Sequence, residues 1–70
     1  MAREAIIRSV NPYELHGVRY YQLGVSYVNE PDSMGEIRIS HDAIYDNPVD
    51  GDRVLVEMVL NVVTEVRKGI

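Results

Sequence analysis

The clearest pattern along the chain is an alternation of apolar and polar side chains between Val18 and Val28. One side of this segment is apolar at every second position, at Tyr21, Leu23, Val25 and Tyr27. A two-residue period is that of a strand with one buried face, so the segment is predicted to be a β-strand. Gly24 lies in its middle and predicts a bulge or a sharp bend there.

Two shorter segments on either side of it also have strand character. Glu4–Val10 predicts a first strand that ends at Asn11-Pro12, because proline cannot donate a ladder hydrogen bond. Residues 29–35 have loop composition throughout. Glu36–Ser40 then returns as a short strand with its two isoleucines facing inward, and it is expected to form a hairpin with the strand at 18–28.

One helical turn is predicted between Ser40 and Asp46. Ser40 or Asp42 supplies a candidate cap, and Asn47-Pro48 ends the turn. Residues 48–52 then predict a tight turn that leads into Arg53.

The segment at 53–67 fits two patterns. As a strand, it places Val54, Val56, Met58 and Leu60 on one face; as a helix, it carries a polar stripe at three- and four-residue spacing. Valine dominates the run and prefers the pleated surface of a sheet, which favours strand. The run is too long for one straight strand in so small a domain. A break near Leu60-Asn61 is therefore expected, giving two strands.

These elements predict a single all-β domain over residues 1–70, with at most one short helical turn. Three strands, a helical turn and two further strands follow one another in the order of small five-stranded barrels, OB-like or SH3-like. Residues 51–57 resemble the penultimate strand of several OB-type domains. The alternative is an α+β fold with a C-terminal helix at about 53–67.

Composition shows how such a domain must be stabilised. A chain of 70 residues buries its surface inefficiently, and it contains no cysteine, phenylalanine or tryptophan. Disulfides and thiolate metal sites are therefore excluded. Self-association, an oxygen-ligand metal or an unusually well-packed core remains as the source of additional stability.

Charge argues against two classes of partner. The formal net charge is −4, and the basic residues are scattered except for Arg67-Lys68. Nucleic acid and anionic membrane surfaces both require clustered cations, so neither is an expected partner. The sequence shows no signal-peptide core and no apolar run of membrane-spanning length, and a cytoplasmic protein is expected.

The acidic segment after the helical turn is the most specific local motif. Asp46, Asp50, Asp52 and Glu57 occupy positions 1, 5, 7 and 12 of an EF-hand-like loop, with Gly51 at position 6. Pro48 offers no oxygen at position 3, and the flanking helices are missing. We interpret these carboxylates as residues that shape and solvate a turn. The alternative is that the protein is a small-ligand or ion-binding barrel that uses the acidic loop at 46–57, with a weak cation site there.

No residues indicate catalysis or a cofactor. None of the serines lies in a nucleophile motif, the glycines are isolated, and so small a domain can hardly enclose a water-excluding pocket. We therefore expect neither an enzyme nor a cofactor-binding protein.

The valine-rich C-terminal run provides the preferred functional hypothesis. Read as strand, it has apolar residues on both faces, which must be covered on both sides. A protein-interaction or assembly module is predicted that forms a homo-oligomer or binds another protein; its candidate interaction residues are Val54, Val56, Val59 and Val63. Tyr20, on the polar face of the strand at 18–28, is a further candidate. Together with Arg19 and Arg38 it would support an OB-like nucleic-acid binder, which the net charge disfavours.

Overall fold

The computed structural model describes residues 2–69, apart from the side chain of Pro31, and it consists of five antiparallel strands in one open sheet. The strands are β1 (Ala2–Leu15), β2 (Val18–Tyr27), β3 (Glu30–Ser40), β4 (Arg53–Val59) and β5 (Val62–Lys68). Their order across the sheet is β3-β2-β1-β4-β5. The prediction of an all-β fold is confirmed, and the alternative with a C-terminal helix at 53–67 is wrong.

The core lies on one face of this sheet, where the alternation in β2 placed it. Leu23 and Val25 are fully buried, and Tyr21 and Tyr27 pack against the core from the same strand. All five strands and the segment after β3 contribute to the core, through Ala5, Ile7, Leu23, Val25, Ile37, Ile39, Ile44, Val54, Val56 and Val66.

The first strand continues well beyond the predicted end at Asn11-Pro12. Pro12 is paired with Tyr21 in the ladder between β1 and β2, which runs to Leu15. The strand tolerates proline here because β4 pairs only with residues 2–6 of β1, so β1 is an edge at Pro12 and needs no second set of bonds. His16 and Gly17 then form a two-residue turn with φ of 54° and 78°.

The predicted loop at 29–35 is also mostly strand. The turn after β2 is limited to Val28 and Asn29, and β3 begins at Glu30. The residues with loop composition coincide with an irregularity in the ladder between β2 and β3. Tyr27 pairs with Glu30, whereas Ser26 pairs with Met34. Residues 31–33 are therefore a bulge in β3. Proline, aspartate and serine fit such a bulge because they need not take part in regular pairing.

The irregularity predicted at Gly24 is present, but the extra residue belongs to the neighbouring strand. Ile7 pairs with Val25 and Ser9 pairs with Gly24, so Arg8 is bulged out of β1. A Cβ atom on Gly24 would lie 2.6 Å from the Ser9 Oγ atom. The Ser9 Cβ and backbone N atoms would lie 3.8 and 3.9 Å from that Cβ atom, so only the rotatable Ser9 hydroxyl would have to move to admit a side chain here.

The helical turn is shorter than predicted. It is a 3₁₀ turn over His41–Ala43, and Ser40 at its N-cap makes no side-chain hydrogen bond. The tight turn that follows is confirmed, with Asp52 donating its N–H to the Val49 carbonyl and Gly51 at φ 95°. Between them, Ile44 forms an isolated parallel bridge with Val66 of β5.

Candidate functional site

The valine-rich run divides at the predicted place into a buried part and an exposed part. Val54 and Val56 in β4 are fully buried in the core, so these two predicted interaction residues are not available to a partner in this structure. Val59 at the end of β4 is 55% exposed, and Val63 in β5 is half-buried. The part of the run that can contact another molecule is therefore its middle, around the turn between β4 and β5.

The turn itself places a large apolar side chain in solvent. Leu60 is 92% exposed, and Leu60 and Asn61 have φ of 51° and 66° between the paired residues Val59 and Val62. Two-residue turns of this kind prefer Asn-Gly, because both positions need positive φ. A left-handed conformation costs a residue such as leucine about 1–2 kcal/mol. Neither local conformation nor burial within the chain therefore explains a leucine at position 60.

Exposed valines on both sides of this turn extend the apolar surface. Val62 is 62% exposed, and together with Val59 and Leu60 it defines a surface that we call the turn patch. Next to it, Arg3, Met58, Leu60 and Asn61 line a depression of about 410 Å³. Arg3 is held in place there, since its guanidinium lies 3.9 Å from the centre of the Tyr27 ring and its Nη2 atom lies 2.8 Å from the Glu30 Oε1 atom.

The turn patch adjoins a sheet edge that lacks one common protection against strand pairing. β3 and β5 are the two edge strands, and β3 contains Pro31 whereas β5 contains no proline. Within residues 2–69, no strand pairs with Val62–Glu65 on the side away from β4. An unpaired edge is a surface on which another chain can add a strand, and charged side chains oppose such pairing. β5 carries its charges at Glu65, Arg67 and Lys68, so its uncharged part is Val62–Thr64.

The structure does not bring the four candidate metal ligands together. Asp46 lies just after the 3₁₀ turn, Asp50 lies in the following tight turn, and Glu57 lies far along β4, where its Oε2 atom pairs with the Arg67 Nη2 atom at 3.1 Å. Between Ala2 and Gly69, no group of three or more histidine or acidic side chains is arranged to hold a metal ion.

Asp52, the remaining member of that motif, joins the turn to the chain before it. The Tyr45 hydroxyl donates to the Asp52 Oδ2 atom at 2.6 Å, and the Val49 N–H donates to the same oxygen at 3.1 Å. These two hydrogen bonds, the first above all, lower the pKa of Asp52. Partial burial, followed by the bond to Asp52, raises the pKa of Tyr45.

Replacing Tyr45 with phenylalanine is expected to destabilise the fold in a pH-dependent way. A carboxyl group with a lowered folded-state pKa stabilises the protein above its unfolded pKa, about 3.9, and this stabilisation is lost as the pH falls through the folded value. The deficit of Tyr45→Phe should therefore be largest near neutral pH and should shrink in acid. Urea unfolding from neutral pH down to the acid limit measures it, with Tyr13→Phe as the matched control. A deficit that stays constant across that range would contradict the assignment.

Tyr20 lies on the outer face of β2, as predicted, and has a partner that sequence reasoning missed. Its ring stacks on that of Tyr13, the residue directly opposite in β1, with ring centres 5.6 Å apart and planes 18° apart. The sequence signal for this pair was the hairpin register, which could not be assigned while Pro12 was taken as the end of the first strand.

Comparisons with protein-family models, with characterised proteins and with solved structures each returned no match for this chain. Among residues 2–69, no helix is long and apolar enough to cross a membrane.

Proposed function

We propose that this protein is a small non-catalytic assembly module that self-associates through the turn patch. The observation that carries the proposal is Leu60, which is both in the left-handed conformation and 92% exposed. A strained backbone conformation whose energetic cost is not offset by contacts within the chain is a reason to suspect a functional site. An apolar contact across an interface would offset the cost of this conformation with favourable free energy of burial, because it removes the leucine side chain from water.

The proposed partner is a second copy of the chain. Closed two-fold dimers are the commonest soluble oligomers, and they bring the same patch of both subunits together. The turn patch suits this arrangement because it is apolar and adjoins the unpaired edge at Val62–Glu65. Dimer formation would also stabilise a chain of 70 residues without cysteine, whose own core can supply only limited stability.

We further propose that the sheet curls into a partly closed barrel of the OB type. The strand order β3-β2-β1-β4-β5, with the helical turn between β3 and β4, supports this topology. The bridge between Ile44 and Val66 supports it as well, since it joins the segment after β3 to the opposite edge strand. Closure of this kind would cover part of the β5 edge and leave the end near the turn patch free.

The double substitution Leu60→Asn with Asn61→Gly tests the proposed self-association. Asn-Gly suits a turn with two positive φ values, so the variant hairpin should form at least as readily as the original. The variant should remain at the chain mass of 8.0 kDa, whereas the natural protein should reach twice that mass. Light scattering after size exclusion, over an approximately hundredfold concentration range, measures both, because dimer formation follows mass action.

Leu15→Asn is the matched control, since Leu15 is an exposed leucine beside the turn at the other end of β1. It should leave the dimer intact. A natural protein that stays at 8.0 kDa over the whole range would refute the proposal. So would a double variant that associates as strongly as the natural chain.

A further inference from the structure

The outer face of β1, β2 and β3 carries a groove of mixed polar and apolar character that is separate from the turn patch. The groove has a volume of about 320 Å³, and its lining consists of the polar residues Ser9, Asn11, Gln22 and Glu36, the glycines Gly24 and Gly35, and Met34. Asn11 and Gln22 face each other across the ladder between β1 and β2, so two carboxamides lie side by side on this face. Each carboxamide has an NH₂ group that donates hydrogen bonds and a carbonyl oxygen that accepts them. Such a pair suits a ligand whose own groups can both donate and accept hydrogen bonds.

Gly24 keeps the floor of this groove free of side chains. It pairs with Ser9 of β1 on one side and with Glu36 of β3 on the other. Gly24 and Ser9 are each two residues along their strand from Gln22 and Asn11, and so they lie on the same face. A Cβ atom at position 24 would lie 2.6 Å from the Ser9 Oγ atom, which can rotate away, and at ordinary contact distance from the rest of Ser9. The floor of the groove is therefore open because residue 24 has no side chain.

The stacked rings of Tyr13 and Tyr20 lie on the other side of the carboxamides. They are two residues along each strand from Asn11 and Gln22, and thus on the same face, about 6.6 Å away. Flat apolar rings next to convergent polar groups match a ligand with an apolar face and a polar rim.

Charges around the groove are compensated or already engaged. The Arg38 Nη2 atom lies 3.6 Å from the Glu36 Oε1 atom, and the Arg8 Nε atom donates to the Ser26 hydroxyl at 2.9 Å. Binding of a phosphate backbone requires a cluster of uncompensated cations, and this face does not provide one. The chemistry favours an uncharged ligand.

We infer that this face binds a neutral oligosaccharide. A sugar ring has an apolar C–H face that can lie against Tyr20 or Tyr13, and hydroxyl groups around its rim that can bond to Asn11, Gln22 and Glu36. Each hydroxyl both donates and accepts, as the two carboxamides do. The inference is independent of self-association, because it uses no residue of the turn patch.

Titration of the isotopically labelled protein with cellohexaose, maltohexaose and chitotetraose, followed by amide NMR, tests the inference. At least one of them should shift the amides of Asn11, Gln22 and Gly24 at concentrations up to about 10 mM, tenfold above a Kd of 1 mM. Gln22→Ala and Tyr20→Ala should each weaken that binding about tenfold or more, which corresponds to ~1.4 kcal/mol. Thr64→Ala, an exposed change in β5, should have no effect.

Tyr20→Phe separates binding from structural damage, since it keeps the ring and should retain most of the affinity. The inference is overturned if none of the three sugars shifts these amides. It is also overturned if oligothymidylate shifts these amides and the shifts weaken with added salt, because the face would then bind phosphate groups. Shifts that survive both Gln22→Ala and Tyr20→Ala would likewise place the ligand elsewhere and overturn it.

Discussion

Replacing Val56 with aspartate is expected to abolish folding. Val56 is fully buried at the centre of β4, where it pairs with Arg3 of β1 and Val66 of β5. An unpaired carboxylate in such a site costs several kcal/mol, or forces the group to bind a proton at neutral pH. A chain of 70 residues has a total stability of only about 4–10 kcal/mol, at ~0.05–0.15 kcal/mol per residue.

The matched control for this change is Val62→Asp in the same valine-rich run. Val62 is exposed in the monomer, so the same substitution should alter the free energy of unfolding by no more than about 0.5 kcal/mol. Circular dichroism and urea unfolding at low protein concentration compare the two variants. If Val56→Asp folded normally, or if Val62→Asp unfolded the monomer, the division of the run into core and surface would be wrong.

Replacing Leu23 with alanine should remove a large part of the stability without changing any charge. Leu23 is fully buried in the middle of the sheet, between Val10 on β1 and Ile37 on β3. Deleting a buried leucine side chain costs about 2–5 kcal/mol, through lost transfer free energy and the cavity that remains. A loss of that size leaves the variant marginally folded or unfolded at room temperature.

Leu15→Ala makes the identical chemical change at an exposed position. It should lower the free energy of unfolding by less than about 0.5 kcal/mol, because little of that side chain leaves water on folding. Both free energies come from chemical unfolding followed by circular dichroism. Equal losses at the two positions would show that the inward face of β2 had been assigned incorrectly.

The alternation in β2 and the valine content of the last third could be read directly from the sequence. Both depend on interactions between residues close in the chain: the two-residue period of a pleated strand, and the preference of branched side chains for that geometry. The same is true of the break at Leu60-Asn61, which follows from the limited length of strands in a small sheet. These local signals favoured five strands, and the structure excludes the helix at 53–67 that remained as the alternative.

The extent of β1 and β3 could not be read in this way. Pro12 and Pro31 normally mark the end of a strand, and both lie inside one. Whether a proline ends a strand depends on whether a neighbour needs its missing N–H, which is a property of the assembled sheet. For Pro12, the deciding fact is that β4 pairs only with residues 2–6 of β1.

For the candidate sites too, the sequence indicated part of the answer and the structure supplied the rest. The sequence indicated an interaction surface in the valine run and at Tyr20, but it could not show that Val56 is buried and Val59 is exposed. It also grouped four carboxylates by spacing, whereas Asp52 bonds to Tyr45 and Glu57 pairs with Arg67 across β4 and β5.

The sequence by itself therefore determined that cysteine chemistry is excluded and that β2 has one buried face, and it favoured a small all-β chain with five strands over one with a helix at 53–67. Tertiary structure alone decided which valines are buried, that Leu60 stands in solvent, and that Tyr13 meets Tyr20 beside a groove of mixed polar and apolar character. The physical reason is range. Strand character arises from neighbours along the chain, whereas burial and side-chain contact arise from strand order and register, which bring distant residues together.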